Sequence, residues 1–513
     1  MATMATPVPR LIVAGLSGDS GKTVVSLSLL AALRKRGLTV SVFKKGPDYI
    51  DAAWLTRVAG SECCNLDTYL VEPDSVYRSF TTRAAGSDIG LIEGNRGLFD
   101  GLDASGTHST AALSRLLRAP VVLVVNAVKA TRTVAALVAG CMSFESDVRI
   151  GGIILNKVAG DRHERIIRDS IARVGDVPVL GALPRLGDDA TLIPGRHLGL
   201  VPPDEFGSGS ELQSRLLSLA LEYLDVEGLL DLARSAPPLE VSRVASPEPV
   251  TGRARIGYFH DSVFTFYYPE NLEALRTCGA ELVPVSSVSA ASLPAIDALY
   301  IGGGFPETHA EQLAANHTLA RAVRTAAEEG LPIYAECGGL IYLSRSLTWE
   351  GRRFTMAGVF PHDLVMHARP VGHGYVRVQT DADNPFFDVD QNIRGHEFHY
   401  SALATDLKPG ETCFRMLRGT GLGDGRDGLV FKNTLACYTH MHAHGVTNWA
   451  SSLVARAHAY SQDRLRIPPA GGGAHRAHAY QSVASRSMSV AGPFAAEIPG
   501  SHNTRELHYG ENS

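Results

Sequence analysis

A glycine-rich turn near the amino terminus carries the residue types that bind phosphate. An apolar run at 11–14 leads into residues 15–23, which read GLSGDSGKT, and a helical pattern follows. Backbone N–H groups of such a turn can close around phosphate oxygens, while Lys22 adds a positive charge and Thr23 a hydroxyl for Mg²⁺. The usual spacing would place glycine at Leu16, and here it lies one residue earlier. A plain strand-to-helix turn is the alternative, but the order of elements favours nucleotide binding.

Charged side chains follow the next two predicted strands, at 39–43 and 89–92. They are Lys44, Lys45, Asp48, Asp51, Glu93 and Asp100. Because the carboxyl ends of strands in an open α/β sheet form the ligand crevice, we expect these groups to converge near the phosphates. Carboxylates in that position are expected to bind Mg²⁺, directly or through water. For Asp51 and Asp100, a role as a cap or turn residue is an equally good interpretation.

A cysteine in the second half stands where a nucleophile could be exposed. Cys337 follows a predicted strand at 332–335 and precedes two glycines and a helical pattern. A sharp turn of this kind presents its side chain at the top of a sheet, and we expect the helix N-terminus to lower the pKa of the thiol. A small buried hydrophobe is the alternative for a lone cysteine. Upstream glycines at 302–304 favour catalysis, because their N–H groups could form an oxyanion hole.

Three histidines at alternate positions, His440, His442 and His444, offer a base for that thiol. On a strand they would share one face, so a metal cluster is an alternative, which we disfavour because no further ligands at suitable spacing accompany them. The segment 396–399, HEFH, resembles a zinc-protease signature, but its histidines are three residues apart instead of four. We interpret it as a structural or substrate-binding strand.

Composition excludes several classes of protein. The chain has 513 residues, 45% of them hydrophobic, and its 48 basic and 53 acidic residues give a net charge of -5, without the basic surplus of a nucleic-acid binder. Seven irregularly spaced cysteines, including the adjacent Cys63 and Cys64, indicate reduced thiols and a cytoplasmic protein. Apolar runs such as 119–125 are far shorter than the roughly 20 residues of a membrane span, and no signal peptide is expected.

Short apolar runs alternate with helical patterns in both halves, which predicts an α/β fold. We expect a phosphate-loop domain with a doubly wound parallel sheet at 8–231, a linker at 232–252 containing four prolines, a second α/β domain at 253–462 and a disordered tail at 463–513. The other predicted strands are 121–125, 152–155, 254–259, 281–285 and 298–301, and the last predicted helix is 447–459.

Together these motifs resemble the cobyrinate a,c-diamide synthase family. In that family an ATP-dependent amidoligase domain similar to dethiobiotin synthetase is fused to a class I glutamine amidotransferase domain of the cobalamin-biosynthesis type. The resemblance covers about 11–459 and explains the early glycine, since the ligase group has a longer phosphate loop. It is carried by the segments 15–23, 46–51, 97–101, 302–307, 336–339 and 395–400.

The resemblance implies an activity. ATP would phosphorylate an acetate carboxylate of a tetrapyrrole, most closely cobyrinate or hydrogenobyrinate, and ammonia would displace the phosphate. Cys337, activated by His440, would release that ammonia from glutamine through a thioester. Sirohaem and nickel sirohydrochlorin are alternative substrates, and a nucleotide-dependent switch is an alternative of another class that a thiol nucleophile disfavours. The partner is then a small tetrapyrrole, with no nucleic acid and no membrane, and we expect a homodimer.

Site residues follow from the motifs and the resemblance together. His440 is preferred as the base because the family's catalytic histidine follows tyrosine by two positions. Many glutamine amidotransferases carry glutamate two residues later, where this chain has His442, so the third triad member is open. The predicted sets are Gly18, Ser20, Gly21, Lys22, Thr23, Lys44 and Asn156 for ATP; Thr23, Asp48 and Glu93 for Mg²⁺; Lys45, Asp48, Tyr49, Asp51 and Asp100 for substrate or acyl phosphate; and Gly303, Gly304 and Gly338 for the oxyanion hole.

Overall fold

The computed structural model describes residues 4–186, 192–196, 199–206, 209–241 and 253–466. All of these belong to one compact unit, Met1–Arg466. Positions 242–252 of the predicted linker, and the predicted tail from Ile467 onward, lie outside the described residues. In the described ranges no helix is both long enough and apolar enough to span a bilayer.

The amino-terminal half contains a seven-stranded parallel sheet covered by helices. The strands of this half, of which β2 to β8 form the sheet, are β1 (Met4–Thr6), β2 (Arg10–Gly15), β3 (Val40–Lys45), β4 (Cys64–Leu66), β5 (Ile89–Gly97), β6 (Val121–Asn126), β7 (Ile150–Val158), β8 (Val179–Pro184), β9 (Gly195–Arg196), β10 (Gly199–Leu200) and β11 (Leu239–Val241). Its helices are α1 (Lys22–Lys35), α2 (Ile50–Ala59), α3 (Pro73–Ala84), α4 (Thr110–Leu117), α5 (Arg132–Phe144), α6 (Asp161–Ile171), α7 (Gly209–Tyr223) and α8 (Val226–Arg234), with a 3-10 turn at Pro203–Glu205.

The order of the seven strands is β4-β3-β5-β2-β6-β7-β8. Alternate residues of β2 enter different cores, since Leu11 and Val13 pack on one face and Ile12 and Ala14 on the other. The predicted doubly wound sheet is therefore confirmed. The chain leaves β2 for β3 on one side and later reaches β6 on the other, so the carboxyl end of β2 is a switch point at which such sheets bind ligands.

The carboxyl-terminal half is built on a nine-stranded mixed sheet of order β13-β12-β14-β15-β24-β23-β22-β19-β20, parallel as far as β24. Its strands are β12 (Ala254–Phe259), β13 (Ala280–Val285), β14 (Ala298–Ile301), β15 (Ile333–Glu336), β16 (Ser346–Trp349), β17 (Arg352–Thr355), β18 (Asp363–Met366), β19 (Gly372–Thr380), β20 (Asn392–His399), β21 (Ser401–Leu403), β22 (Thr412–Arg418), β23 (Arg426–Phe431) and β24 (Thr434–Cys437). Its helices are α9 (Pro269–Thr277), α10 (Ala310–Ala315), α11 (His317–Glu328), α12 (Gly338–Leu343) and α13 (Trp449–Arg466), while β16, β17, β18 and β21 form a separate small sheet.

Three predicted boundaries differ from the structure. Positions 232–234 of the predicted linker are still helical in α8, and β11 pairs with β1, so prolines do not prevent regular structure before position 242. The last helix reaches Arg466, and positions 463–466 therefore belong to a helix instead of a tail. Leu453 and Ala457, which lie in the predicted part of this helix, are buried in the core.

Tyrosines join the two halves at the edge that carries the predicted sites. The Tyr375 hydroxyl donates to Asp67 Oδ2 at 2.6 Å, and the Tyr69 hydroxyl donates to the Val376 carbonyl at 3.0 Å. The two tyrosine rings stack with centroids 4.3 Å apart. Ion pairs between Arg83 and Glu273 and between Arg394 and Glu72 lie further out. The segment that follows β4 is thereby held against β19 and β20 of the other half.

Candidate functional site

The phosphate loop connects β2 to α1 and is held by the residues around it. The Lys22 ammonium donates to the carbonyls of Ser17 (2.9 Å) and Arg96 (2.7 Å), and burial lowers its pKa. The Asn156 side chain donates to the Ser20 carbonyl at 2.9 Å. A Cβ atom on Gly21 would lie only 2.0 Å from that amide nitrogen, and Gly21 has φ +96°, so only glycine fits there. An anion bound in the loop would replace the Ser17 and Arg96 carbonyls as the hydrogen-bond partner of the Lys22 ammonium.

Behind the loop, the buried Lys44 ammonium is surrounded by carboxylates. Its Nζ lies 2.6 Å from Asp51, 2.7 Å from Glu93 and 3.9 Å from Asp48. Burial by itself would lower the pKa of Lys44, but these carboxylates raise it well above its ordinary value. Burial and the neighbouring Asp51 charge raise the pKa of Asp48 to about 7. With one cation facing three acidic groups, the cluster can accept further positive charge.

The oxygens of this cluster fit Mg²⁺. Glu93 Oε2 is buried and makes no hydrogen bond within the described residues, while Oε1 accepts from the Thr23 hydroxyl at 3.0 Å. Hard oxygen donors of this kind are the ligands of Mg²⁺, which commonly combines one or two carboxylates with phosphate oxygens and water. Accordingly, no group of three or more His, Cys, Asp or Glu in the described ranges converges as a complete ligand set. Thr23, Asp48 and Glu93 remain the predicted ligands.

The other predicted substrate residues have distinct positions. Asp51 pairs with Lys44, which was not foreseen for it, and the Gly97 N–H donates to Asp100 at 2.9 Å, the turn role that the sequence left open. Lys45 points away from Lys44 because side chains alternate along a strand, and burial lowers its pKa. Tyr49 reaches into the other half, where its ring stacks on Phe266 at 5.1 Å.

Cys337 occupies a strained turn between β15 and α12. Its φ of 48° and ψ of -98° are rarely adopted by a residue with a side chain, and such a turn is typical of a nucleophile elbow. Its N–H donates to the Cys437 carbonyl at 2.7 Å. The predicted lowering of the thiol pKa is wrong: burial and the nearby Glu307 raise the pKa of Cys337 well above its ordinary value, and the Gly338 N–H opposes this only weakly. A six-residue helix does not offset desolvation.

The glycines after β14 pack between the elbow and His440. A Cβ atom on Gly338 would lie 3.0 Å from the Gly304 nitrogen, and one on Gly304 would lie 1.8 Å from the Val263 carbonyl oxygen. A Cβ atom on Gly303 would lie 2.7 Å from Cε1 of His440. Glycine is therefore required for this close approach, which brings the thiol segment, the loop and the imidazole together. An oxyanion-hole role for the three glycines stays a prediction.

His440 is set apart from the other two histidines. Its Nδ1 lies 3.3 Å from the Tyr49 hydroxyl and 3.5 Å from Glu336 Oε2, and its ring stacks on His396 at 4.8 Å. His442 instead faces Glu270, with Nε2 3.8 Å from Oε2. The alternative that the three histidines share one face of a strand is wrong. Strand β24 ends at Cys437, and the N–H groups of the next two residues donate to the buried Asp427.

A cavity of about 440 Å³ lies between the two halves and is lined by predicted site residues from both. Asp48, Asp100 and Tyr49 line it from one half, and His440 and Phe398 line it from the other. The Phe398 carbonyl oxygen also lies 4.0 Å from the Cys337 sulfur. The cavity is lined by the cations Lys45, Arg96 and Arg418, by the acidic residues Asp48, Asp100 and Glu397, and by His108 and His373, whose pKa values burial lowers. The volume is that of a small-molecule site, and the three cations are suitable partners for anionic groups of a ligand.

Sequence reasoning missed four of the residues at these sites. Arg96 lies three residues after Glu93 in the sequence, but no role was predicted for it. Glu336 directly precedes the predicted nucleophile, which is a usable signal. His373 and Arg418 belong to no motif, and only the pairing of β19 with β20 and β22 brings their strands to the cavity.

Two family models match the chain, one in each half. Residues 11–195 match the CobQ/CobB/MinD/ParA nucleotide binding domain, and residues 255–447 match the CobB/CobQ-like glutamine amidotransferase domain. The predicted combination of a phosphate-loop domain with a glutamine amidotransferase domain is confirmed.

Similarity to curated relatives runs through both halves. The chain is 43% identical over 452 residues to a cobyrinate a,c-diamide synthase of Magnetococcus marinus, covering 87% of this chain and 96% of the relative. It is 38% identical over 444 residues to the enzyme of that name from Archaeoglobus fulgidus, covering 86% and 96%. A relative of that name from Methanosarcina acetivorans is 37% identical over 491 residues, covering 90% and 98%.

The raised thiol pKa predicts slow alkylation of Cys337 near neutral pH. Without glutamine, the rate of its reaction with iodoacetamide should rise about tenfold per pH unit up to about pH 9, because the thiolate fraction grows tenfold per unit below the pKa. Mass spectrometry of the peptide containing Cys337 measures this rate, and Cys337→Ala corrects for the other thiols. A plateau of the alkylation rate below about pH 8 would contradict the raised pKa of the Cys337 thiol.

Proposed function

The chain belongs to the cobyrinate a,c-diamide synthase family, and from this premise we propose that it converts the a and c acetate side chains of cobyrinate to amides with ATP and glutamine. The observation that carries the proposal is a single cavity lined both by the phosphate-loop half and by His440. A nucleotide-dependent switch would not require a strained cysteine at a nucleophile elbow in the half that contributes His440 to that cavity.

The ligase half would activate the acetate. A substrate carboxylate oxygen attacks the γ-phosphorus of ATP, which forms an acyl phosphate and releases ADP. Lys22 would meet the transferred phosphoryl group at the helix N-terminus, and Lys45 would hold the attacking carboxylate. Mg²⁺ held by Thr23, Asp48 and Glu93 would neutralise phosphate charge. Ammonia then attacks the acyl carbon, and phosphate leaves as the amide forms.

The glutaminase half would supply the ammonia. His440 takes the Cys337 proton as the sulfur attacks the glutamine amide carbon, and the same proton goes to the departing nitrogen, so that ammonia and a thioester result. Water then hydrolyses the thioester to glutamate and regenerates the thiol. Because the free thiol has a raised pKa, proton removal by His440 at the moment of attack is required.

The cavity would then serve two purposes. Ammonia released beside His440 would enter a space that also contacts Asp100 and Lys45, and it would reach the acyl phosphate from there. The same space would receive the edge of the tetrapyrrole that bears the reacting acetates. Arg96 and Arg418 stand on opposite halves at its rim and would pair with the other carboxylates.

The proposed activity predicts a separation of two functions by mutation. Cys337→Ala should lower glutamine-dependent amidation of cobyrinate at least about 10³-fold but leave ammonia-supported amidation within about twofold, because only the nucleophile is lost. Lys22→Ala should abolish both. Mass spectrometry counts the added amides, with Cys278→Ala as the control that retains both activities.

The same assay run on hydrogenobyrinate, sirohaem and nickel sirohydrochlorin tests the substrate. Amidation of one of these in preference to cobyrinate would refute the substrate and keep the mechanism. Full glutamine-dependent turnover by Cys337→Ala would refute the mechanism itself.

The acyl phosphate predicts a transfer of oxygen. Cobyrinate labelled with ¹⁸O in its acetates should deliver one ¹⁸O atom to inorganic phosphate for each amide formed, because the bridging oxygen leaves with phosphorus. Mass spectrometry of the phosphate measures this. Unlabelled phosphate accompanying amide formation would exclude the intermediate.

The basic lining predicts a selective loss of affinity. Arg418→Gln should raise the KM for cobyrinate about tenfold or more, the cost of a charge-assisted hydrogen bond, while the KM for ATP and the glutaminase rate stay unchanged. Arg415→Gln, on the same strand but outside the cavity, is the matched control. Equal effects of the two substitutions would show that Arg418 does not contact the substrate.

A further inference from the structure

A buried carboxylate directly before the thiol contacts the imidazole of His440. Glu336 ends β15 and is fully buried, and its Oε2 lies 3.5 Å from His440 Nδ1. In the described part of the chain, no other carboxylate oxygen lies within 4.0 Å of a nitrogen of His440. The position two residues after His440, where many amidotransferases carry glutamate, is His442, which faces Glu270 instead.

Glu336 is fixed by hydrogen bonds at both oxygens. The Tyr334 hydroxyl donates to Oε1 at 2.9 Å, and the Tyr300 hydroxyl donates to Oε2 at 3.2 Å. The Met441 N–H also donates to Oε1 at 3.1 Å, which ties the carboxylate to the residue after His440. Burial and the Glu336 charge raise the pKa of both tyrosines, so they stay donors. Three hydrogen bonds thus hold the carboxylate in a fixed position beside His440.

The other neighbours of His440 do not supply a charge. Tyr49 contributes a neutral hydroxyl at 3.3 Å from Nδ1, and burial raises its pKa well above the ordinary value. His396 stacks on the ring, and burial and His440 lower its pKa well below the ordinary value, which keeps it neutral. Glu336 is thus the carboxylate that faces His440.

We propose that Glu336 orients His440 by accepting a hydrogen bond from Nδ1–H, and so takes the place of the carboxylate that other amidotransferases carry after the histidine. This inference rests on the proposed glutaminase activity. With the proton on Nδ1, Nε2 is the free base that takes the Cys337 proton, and the carboxylate stabilises the imidazolium that results. Glu336 is a positioning residue, since it touches the base and not the substrate.

The test measures glutaminase kinetics in the full chain. Glu336→Gln should lower kcat for glutamate release about 100-fold with the KM for glutamine within about threefold, because a side-chain amide can donate to Nδ1 and impose the wrong tautomer. Ammonia-supported amidation should stay within about twofold of the parent, because the ligase half is untouched. Glu336→Asp should recover at least about tenfold of the loss, since it restores the charge.

Glu270→Gln is the matched control, because Glu270 is also fully buried beside a histidine of the same half. Its kcat should stay within about threefold of the parent. A kcat within about threefold for Glu336→Gln, or an equal loss in Glu270→Gln, would overturn the proposal. Absence of glutaminase activity in the parent protein would instead overturn the proposed function.

If Glu336→Gln does not fold, a second measurement tests whether Glu336 orients His440. In protein labelled with ¹⁵N-histidine, the His440 signals, identified by their loss in His440→Gln, should report the Nδ1–H tautomer. The same tautomer should persist in Tyr49→Phe, because Glu336 still accepts the proton. A proton on Nε2 in the parent, or a change of tautomer in Tyr49→Phe, would overturn the proposal.

Discussion

The pairing of one buried ammonium with three carboxylates organises the ligase site. Lys44 cannot be buried alone, because an uncompensated charge in the interior costs several kcal/mol. Its partners come from the loop after β3, from α2 and from the middle of β5, so satisfying this charge fixes all three elements beside the phosphate loop. Since successive side chains of a strand point in opposite directions, Lys45 is turned into the cavity by the same strand.

The glutaminase site, unlike the ligase site, depends on a buried thiol instead of a buried ion pair. Cys337 is buried, and burial and the nearby Glu307 raise the pKa of its thiol well above its ordinary value. A thiol held in this state is unreactive until substrate and base are aligned. That alignment draws on both halves, because Nδ1 of His440 touches Glu336 from its own half and Tyr49 from the other. Glutamine hydrolysis in an isolated second half would lack the Tyr49 contact.

Much of this architecture could be predicted from local sequence patterns. The strand, the GLSGDSGKT turn and the following helix are all local in sequence, so their order could be read directly, and strands such as Ala298–Ile301 were predicted to the residue. Cys337 was found because an elbow is also local. The pKa of its thiol was predicted wrongly, because desolvation comes from residues distant in sequence. His440 was preferred on the family motif, but its different surroundings from those of His442 follow from tertiary contacts, such as those of Asp427 with the chain just after β24.

By itself the sequence determined that the chain contains a phosphate loop, a nucleophile turn and two α/β halves, since these follow from short-range spacing and period. Tertiary structure alone decided that residues of both halves line one cavity, that Arg418 and His373 are among them, and that Glu336 faces His440. The reason is physical: such contacts are set by the pairing of strands and by the packing of the two halves, which bring together side chains that no local pattern connects.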